Sequence, residues 1–318
     1  MSMMSKSKAV LSEKFLFRRI TEDENILSRL KIISYIRGWL LFRKYKKLYK
    51  NAFVLSSHIG EVVFTCSYVE AYKKQWGIDK CCVITFDRFI PIVGLYETFD
   101  DVFALDPKPL RALSYYLSDK NHLKTGFVND IWKNKHSQDL FNKCKHSKIG
   151  YHAEFYSTYL KIDIRSQIKK PDISLIGNYL SNRNSNLDFT GKTILICPLA
   201  QTVKMIPNTF WEKLVSRIIS KGYKVYINGN MDIENAITIK PDLIELVDLA
   251  SKVNRVISLQ SGLSDLLVEL GIECDVIMYE EQAFYRRKDD YPFVVPSLTG
   301  INDSTDFDYL VERLIERL

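Results

Sequence analysis

Thr193-Ile-Leu-Ile-Cys-Pro-Leu-Ala-Gln-Thr-Val-Lys-Met-Ile-Pro-Asn-Thr-Phe-Trp211 is the stretch on which the fold turns. Thr193 to Cys197 is apolar and partly β-branched, bounded by Gly191 and Pro198, and reads as a buried strand. A polar loop from Leu199 to Pro207 leads into a helix. Asn208 is placed to cap it, and Phe210, Trp211, Leu214, Val215, Ile218 and Ile219 share one face before Gly222 ends it. Lys224-Val-Tyr-Ile227 follows at once as a second strand, closing on Asn228-Gly-Asn230. Strand, loop, helix and strand in this order form a right-handed crossover in a parallel sheet.

Farther on, Arg255-Val-Ile-Ser-Leu259 is another strand, and Gln260-Ser-Gly-Leu-Ser-Asp265 leads from its end into a helix carrying Leu263, Leu266, Leu267 and Leu270 on one side. Ligands of open α/β sheets sit at the carboxyl ends of the strands, where helix N-termini attract phosphate. Both loops are therefore candidate walls of one nucleotide site. Asp275-Val-Ile-Met-Tyr279 reads as a strand, and Phe307, Leu310, Val311, Leu314, Ile315 and Leu318 form the inner stripe of a C-terminal helix that could return to the first half of the chain.

The first half alternates in the same way. Asn51-Ala-Phe-Val-Leu55 is a strand ending in Ser56-Ser-His-Ile-Gly-Glu61, which enters a helix from Val62 to Trp76 stopped by Gly77; Cys82-Val-Ile-Thr85 and Val102-Phe-Ala-Leu105 are further strands. From Lys108 to Lys148 the chain is polar and its pairing is not assigned. His122, His136 and His146 lie there at spacings unsuited to a metal and read as solvated surface residues. Residues 178–186 hold four Asn and two Ser and mark a linker. The division is thus a basic helical segment over 1–50, one α/β domain over 51–180 and a second over 187–318.

At 318 residues, the length suits two domains of about 150 residues each. An apolar content of 46% and 12% aromatic residues exclude a disordered chain. A net charge of +7 is too mild for a dedicated nucleic-acid binder, so no nucleic acid is expected as partner. Six scattered cysteines without a CxxC pair read as free thiols in a reducing compartment. No signal-type apolar core and no membrane-spanning run is present, which points to the cytoplasm. Residues 26–48 place apolar groups three and four apart with Lys and Arg between them. Such a helix either lies on an anionic membrane surface with Trp39 and Phe42 inserted, or packs on its own domain.

Three groups could carry chemistry. Glu61 lies just past a strand end at the first turn of a helix, a perch for a general base, with Gly60 letting a substrate approach the backbone; the plain alternative is an ordinary first-turn Glu. Lys204, in a loop at the carboxyl end of a strand, can bind a diphosphate. Ser261, Gly262, Leu263 and Ser264 can cradle an anion at a helix N-terminus, and Ser261 or Ser264 can equally be an N-cap. GxxxxGK[ST], GxGxxG, GxSxG and HExxH are absent, which removes the P-loop, ordinary dinucleotide-binding, α/β-hydrolase and zincin readings. Asp100-Asp101 and Asp289-Asp290 are acidic pairs, but neither has the D-x-D spacing of metal-dependent sugar transferases, and both read as surface pairs.

These pieces resemble the ADP-heptose lipopolysaccharide heptosyltransferases of glycosyltransferase family 9. Ser56-Ser-His-Ile-Gly-Glu61-Val is similar to the family's Ser-Ser-x-Gly-Asp-Val; His152-Ala-Glu-Phe-Tyr-Ser-Thr-Tyr-Leu160 to its His-containing helix before the second domain; Pro198-Leu-Ala with Lys204-Met-Ile-Pro207 and Trp211 to its Pro-Gly-Ala, Lys-x-Trp-Pro and Trp; and Gln260-Ser-Gly-Leu-Ser-Asp265 to its Asp-(Thr/Ser)-Gly-x-x-His. The resemblance implies the GT-B fold, two facing Rossmann-like domains with parallel sheets and a cleft between them.

It also implies an inverting glycosyltransferase needing neither metal nor cofactor, which moves a sugar from a nucleotide-sugar donor to a glycan or lipid-linked acceptor in bacterial surface polysaccharide or lipopolysaccharide synthesis, on the inner membrane face. Glu61 takes the place of the catalytic Asp. Lys204 and residues Gln260 to Asp265 face the donor, and Ser57, His58, Gly60 and His152 fall on the acceptor side. Gln260 and Asp265 replace the family's Asp and His, and Ile206 its Trp, so the resemblance leaves the donor sugar and its nucleotide open. A nucleotide-sugar epimerase or hydrolase, and a non-catalytic subunit of a glycan-assembly complex, are the other readings.

Overall fold

The structure, a computed structural model, describes residues 24–130, 133, 137–144, 151–163, 165–180, 187–200, 204–279, 297–302 and 304–318. Two wholly parallel sheets organise it. In the first, β1 (Ala52–Leu55), β2 (Cys82–Thr85), β3 (Asp101–Ala104) and β4 (Phe127–Asn129) stand in the order β3-β2-β1-β4. The second contains β5 (Thr193–Cys197), β6 (Lys224–Asn228), β7 (Ile237–Ile239), β8 (Arg255–Leu259), β9 (Cys274–Tyr279) and β10 (Ser297–Ile301), in the order β10-β9-β8-β5-β6-β7. Strands β1, β2 and β5 are buried along their whole length, because a parallel sheet covered on both faces selects unbroken apolar runs over alternation.

The helices that matter for the site are α1 (Glu24–Leu48), α2 (Ile59–Trp76), α3 (Ile90–Gly94), α4 (Pro107–Leu117), α5 (His122–Thr125), α6 (Ser137–Cys144), α7 (Tyr151–Leu160), α8 (Asn208–Ser220), α9 (Leu243–Lys252), α10 (Gly262–Glu269) and α11 (Phe307–Ile315). In each sheet the strand order reverses beside the strand that begins the unit, between β1 and β4 and between β5 and β8. Such switch points open a crevice at the carboxyl ends of the strands. Ser56 and Asp130 stand at the first, and the loops after β5 and β8 at the second.

Several expectations change. The unassigned stretch after Lys108 supplies α4, α5, β4 and α6, and His122 within it is buried, packed beside Tyr159 and Tyr72, with burial holding its imidazole down to about 4. His136 and His146, like residues 181–186 of the linker, lie outside the described residues. Asn208 is the first residue of α8 and Pro207 takes the cap position. The C-terminal helix does not return to the first half: α11 lies on α8, where Phe307 meets Phe210 and Arg217 pairs with Glu312, and Leu310, Val311, Leu314 and Ile315 join the second sheet's core. All six cysteines are free and buried.

α1 packs on α4. Gly38 sits where a Cβ would come within 2.1 Å of the Ala112 carbonyl oxygen, and Tyr35 and Phe42 pack on Tyr116. Its other side leaves Ile32, Ile33, Ile36 and Leu40 exposed beside Arg43, Lys44 and Lys47. Among the described residues, no helix is long and apolar enough to cross a membrane.

Helix α9 begins with a reciprocal cap, Asp242 accepting from the Glu245 N–H at 2.9 Å while Glu245 accepts from the Asp242 N–H at 3.0 Å. Asp242→Ala is expected to cost about 1 kcal/mol in urea denaturation, the usual loss on removing an N-cap.

Candidate functional site

The two switch points meet through α2 and α10. Helix α2 starts at Ile59, earlier than the sequence pattern indicates, so Glu61 lies inside its first turn. Gly60 and Gly262 touch: a Cβ on Gly262 would fall 2.4 Å from the Gly60 nitrogen and 2.9 Å from the Ile59 Cβ, and one on Gly60 would fall 3.1 Å from Asp265 Oδ2. The two glycines thus bring the N-termini of both helices, with the carboxylates of Glu61 and Asp265, to one place.

Glu61 Oε2 accepts from the His58 N–H at 3.0 Å. Burial drives its carboxyl up to about 7; backbone hydrogen bonds, its own and that of His58, work against this, and the negative charges of Asp130 and Asp265 add to it. A carboxyl poised near neutrality is suited to taking a proton from a hydroxyl and passing it on. Asp130, which the sequence reading missed, is buried immediately after β4, and its Oδ2 accepts from the Ser56 N–H at 3.1 Å. The three residues of β4 are too few for periodicity to register, so the only available signal was an acidic residue after the short apolar pair Phe127-Val128.

On the first domain's side, Ser57 is buried and His58 exposed. His152, near the start of α7, is buried and stacks on Phe64 at 3.9 Å between centroids, one turn along α2 from Glu61. On the second domain's side, Ser261 is the N-cap of α10. Its Oγ accepts from the Ser264 N–H at 3.4 Å, and the Ser264 Oγ accepts from the Ser261 N–H at 2.9 Å. The cap takes the Ser264 N–H, so the first-turn amides left to an anion are those of Gly262 and Leu263. Gln260 is half-buried and donates its N–H to the Ile277 carbonyl at 2.9 Å, and the Leu263 side chain turns into the core.

Lys204 is exposed, with Nζ 5.5 Å from the centre of the Tyr279 ring. Lys204 follows β5 and Tyr279 ends β9, two strands away, so the lysine spans the end of β8 from which α10 starts. A cation at this end of the second sheet is suited to holding a bound anion. Among the described residues, no three His, Cys, Asp or Glu side chains are disposed to hold a metal ion.

No family model matches the chain, and no curated protein matches its sequence. Solved structures do match. The E. coli ADP-heptose LPS heptosyltransferase II aligns with a TM-score of 0.58 at 14% identity, covering 84% of this chain and 97% of that one. The E. coli heptosyltransferase WaaC with ADP gives 0.56 at 12% identity over 84% and 99%, and the glycosyl transferase family 9 protein from Veillonella parvula DSM 2008 gives 0.54 at 15% over 84% and 91%. The chain has the fold these proteins share.

Proposed function

We propose that this protein is a glycosyltransferase that moves a sugar from a nucleotide-sugar donor to a hydroxyl of a glycan or lipid-linked acceptor, with inversion and without a metal, in the making of bacterial surface polysaccharide or lipopolysaccharide. The observation that carries the reading is Glu61: a carboxyl poised near neutrality where the switch points of two parallel-sheet domains meet, on the fold of the heptosyltransferases. The acceptor hydroxyl gives its proton to Glu61, its oxygen bonds to the anomeric carbon, and the bond from that carbon to the diphosphate breaks on the opposite face. Lys204 and the first turn of α10 stabilise the departing diphosphate, with Gln260 and Asp265 toward the donor sugar. Ser57, His58, Gly60 and His152 line the acceptor side.

The test is a thermal-shift panel of ADP-, GDP-, UDP-, CMP- and dTDP-sugars, since a ligand held by the native state alone, present at about 100 times its Kd, adds about 2.7 kcal/mol to stability. A rise in Tm with one nucleotide names the donor class; no rise with any of them counts against the reading. With donor and acceptor in hand, the anomeric configuration of the product decides inversion, and turnover that persists in EDTA decides metal independence.

The exposed apolar and basic side of α1 supports a peripheral place on the anionic cytoplasmic face of the inner membrane, with Ile32, Ile33, Ile36 and Leu40 toward the acyl boundary. Lys47→Ala is expected to weaken binding to phosphatidylglycerol-containing vesicles about fivefold, the worth of one basic residue at such a surface. Equal sedimentation of variant and wild type with the vesicles would remove this part of the proposal.

A further inference from the structure

Two turns beyond the glycine contact, the same pair of helices meets again. Gly60 faces Gly262 and Ser67 faces Glu269, so each helix advances seven residues and the two run parallel. Glu269 is 3% exposed and Ser67 fully buried. The Tyr96 hydroxyl, in the turn after α3, donates to Glu269 Oε2, and Ser67 Oγ lies 3.2 and 3.3 Å from the two carboxyl oxygens. The segment after α7 closes the same spot: the Lys169 N–H donates to the Ser67 carbonyl at 2.9 Å and the Asp172 N–H to the Leu95 carbonyl at 2.8 Å. A carboxyl of the second domain is thus sealed inside the first.

We propose that Glu269 is a positioning residue: gripped by Tyr96 and Ser67, it locks α10 against α2 and so fixes where Asp265 and the α10 N-terminus stand relative to Glu61. The consequence for turnover rests on the transferase reading above; the lock itself does not.

A neutral carboxyl fits these hydrogen bonds. Ser67 Oγ has one proton and is also 3.0 Å from the Val63 carbonyl, to which it donates. A protonated Glu269 supplies the second proton of that cluster and still accepts from Tyr96. Burial, the largest influence, pushes the carboxyl well above the usual range; the bonds from Tyr96 and Ser67 and the charge of Lys170 draw it down, and Asp265 raises it. The other titratable groups facing it are Tyr96, Tyr68 and Cys66, and burial raises all three. As pH rises, Glu269 would ionise with no ion-pair partner in contact among the described residues, and the joint would loosen.

Distance measurement between spin labels decides the matter on the full chain. Arg111→Cys and Arg313→Cys put one label on an exposed site of each domain, the native thiols being buried. One narrow distance is expected for wild type and for Glu269→Gln, whose amide can accept from Tyr96 and donate to Ser67. A broadened distribution shifted to longer separations is expected for Glu269→Ala. Should the Ala variant not fold, Tyr96→Phe, which removes a single hydroxyl, is expected to broaden it in part. Raising the pH should broaden the wild-type distribution and leave Glu269→Gln unmoved, a response that plain packing does not predict.

A folded Glu269→Ala with the wild-type distance, or a Gln variant as disturbed as the Ala one, would overturn the lock. Calorimetry with ADP separates this from the function proposed above. The nucleotide site belongs to the second domain, so ADP affinity should stay within about twofold of wild type in the loosened variants while kcat for transfer falls. Failure of wild type to bind ADP or any other nucleotide counts against the transferase, and the distances still decide the lock.

Discussion

Replacing Glu61 by Gln is expected to lower kcat for sugar transfer by about 10²–10⁴-fold while leaving nucleotide affinity unchanged, the range lost with a positioned general base. Gln keeps the acceptor oxygen for the His58 N–H, so the first turn of α2 survives the change and the loss reports on proton transfer alone. The pH profile carries the same assignment. A base must be ionised to work, and the Glu61 carboxyl is raised to about 7, so kcat/KM should fall about tenfold per unit below pH 7 and level off above it.

Stability should move the other way. The folded state keeps the Glu61 proton up to about 7, whereas an exposed Glu releases it near 4.5, so the folded state binds the proton more tightly and wild-type stability declines as pH rises between those values. Glu61→Gln removes that decline and should raise Tm at pH 8 more than at pH 5. Full activity in the variant, or a flat wild-type profile through pH 7, would remove Glu61 from the mechanism.

Gly262→Ala is expected to damage fold and turnover together. The added methyl falls 2.4 Å from the Gly60 nitrogen and 3.1 Å from its Cα. These are backbone atoms of a packed helix and cannot rotate aside as a long side chain would. Relief requires α2 and α10 to separate, which should cost about 1–3 kcal/mol as other overpacked sites do. It also displaces Asp265 and the α10 amides from Glu61, and a shift of about 1 Å in a reacting constellation is worth about 10²-fold in rate. Gly177→Ala is the control, since no atom lies within 4 Å of its would-be Cβ. Urea denaturation and transfer rates on both variants check this; a Gly262→Ala protein with wild-type stability and rate would mean that the contact between the helices is looser than described.

Which parts of this were legible without coordinates follows from the range of the forces involved. The β5, α8, β6 crossover, the strand before Gln260, the Gly77 stop and the Ser261 cap are written in neighbouring residues, because side-chain periodicity and backbone capping act over one or two turns. Glu61 was also visible as a first-turn carboxylate after a strand. Its proton affinity was not, since that comes from burial against α10 and from Asp130 and Asp265, which the chain delivers from 69 and 204 residues away.

His122 shows the converse. Its Lys-rich neighbours suggest a solvated side chain, yet the packing of α5 against Tyr72 and Tyr159 buries it. The sequence by itself determined two parallel α/β units and the loops that end their strands, since local pattern suffices to specify elements. Only the tertiary structure decided that Gly60 meets Gly262, that β4 carries Asp130 to the floor of the site, and that Glu269 is sealed between Ser67 and Tyr96. Contacts across hundreds of residues arise from burying helix faces against each other, and no local pattern in either segment encodes its partner.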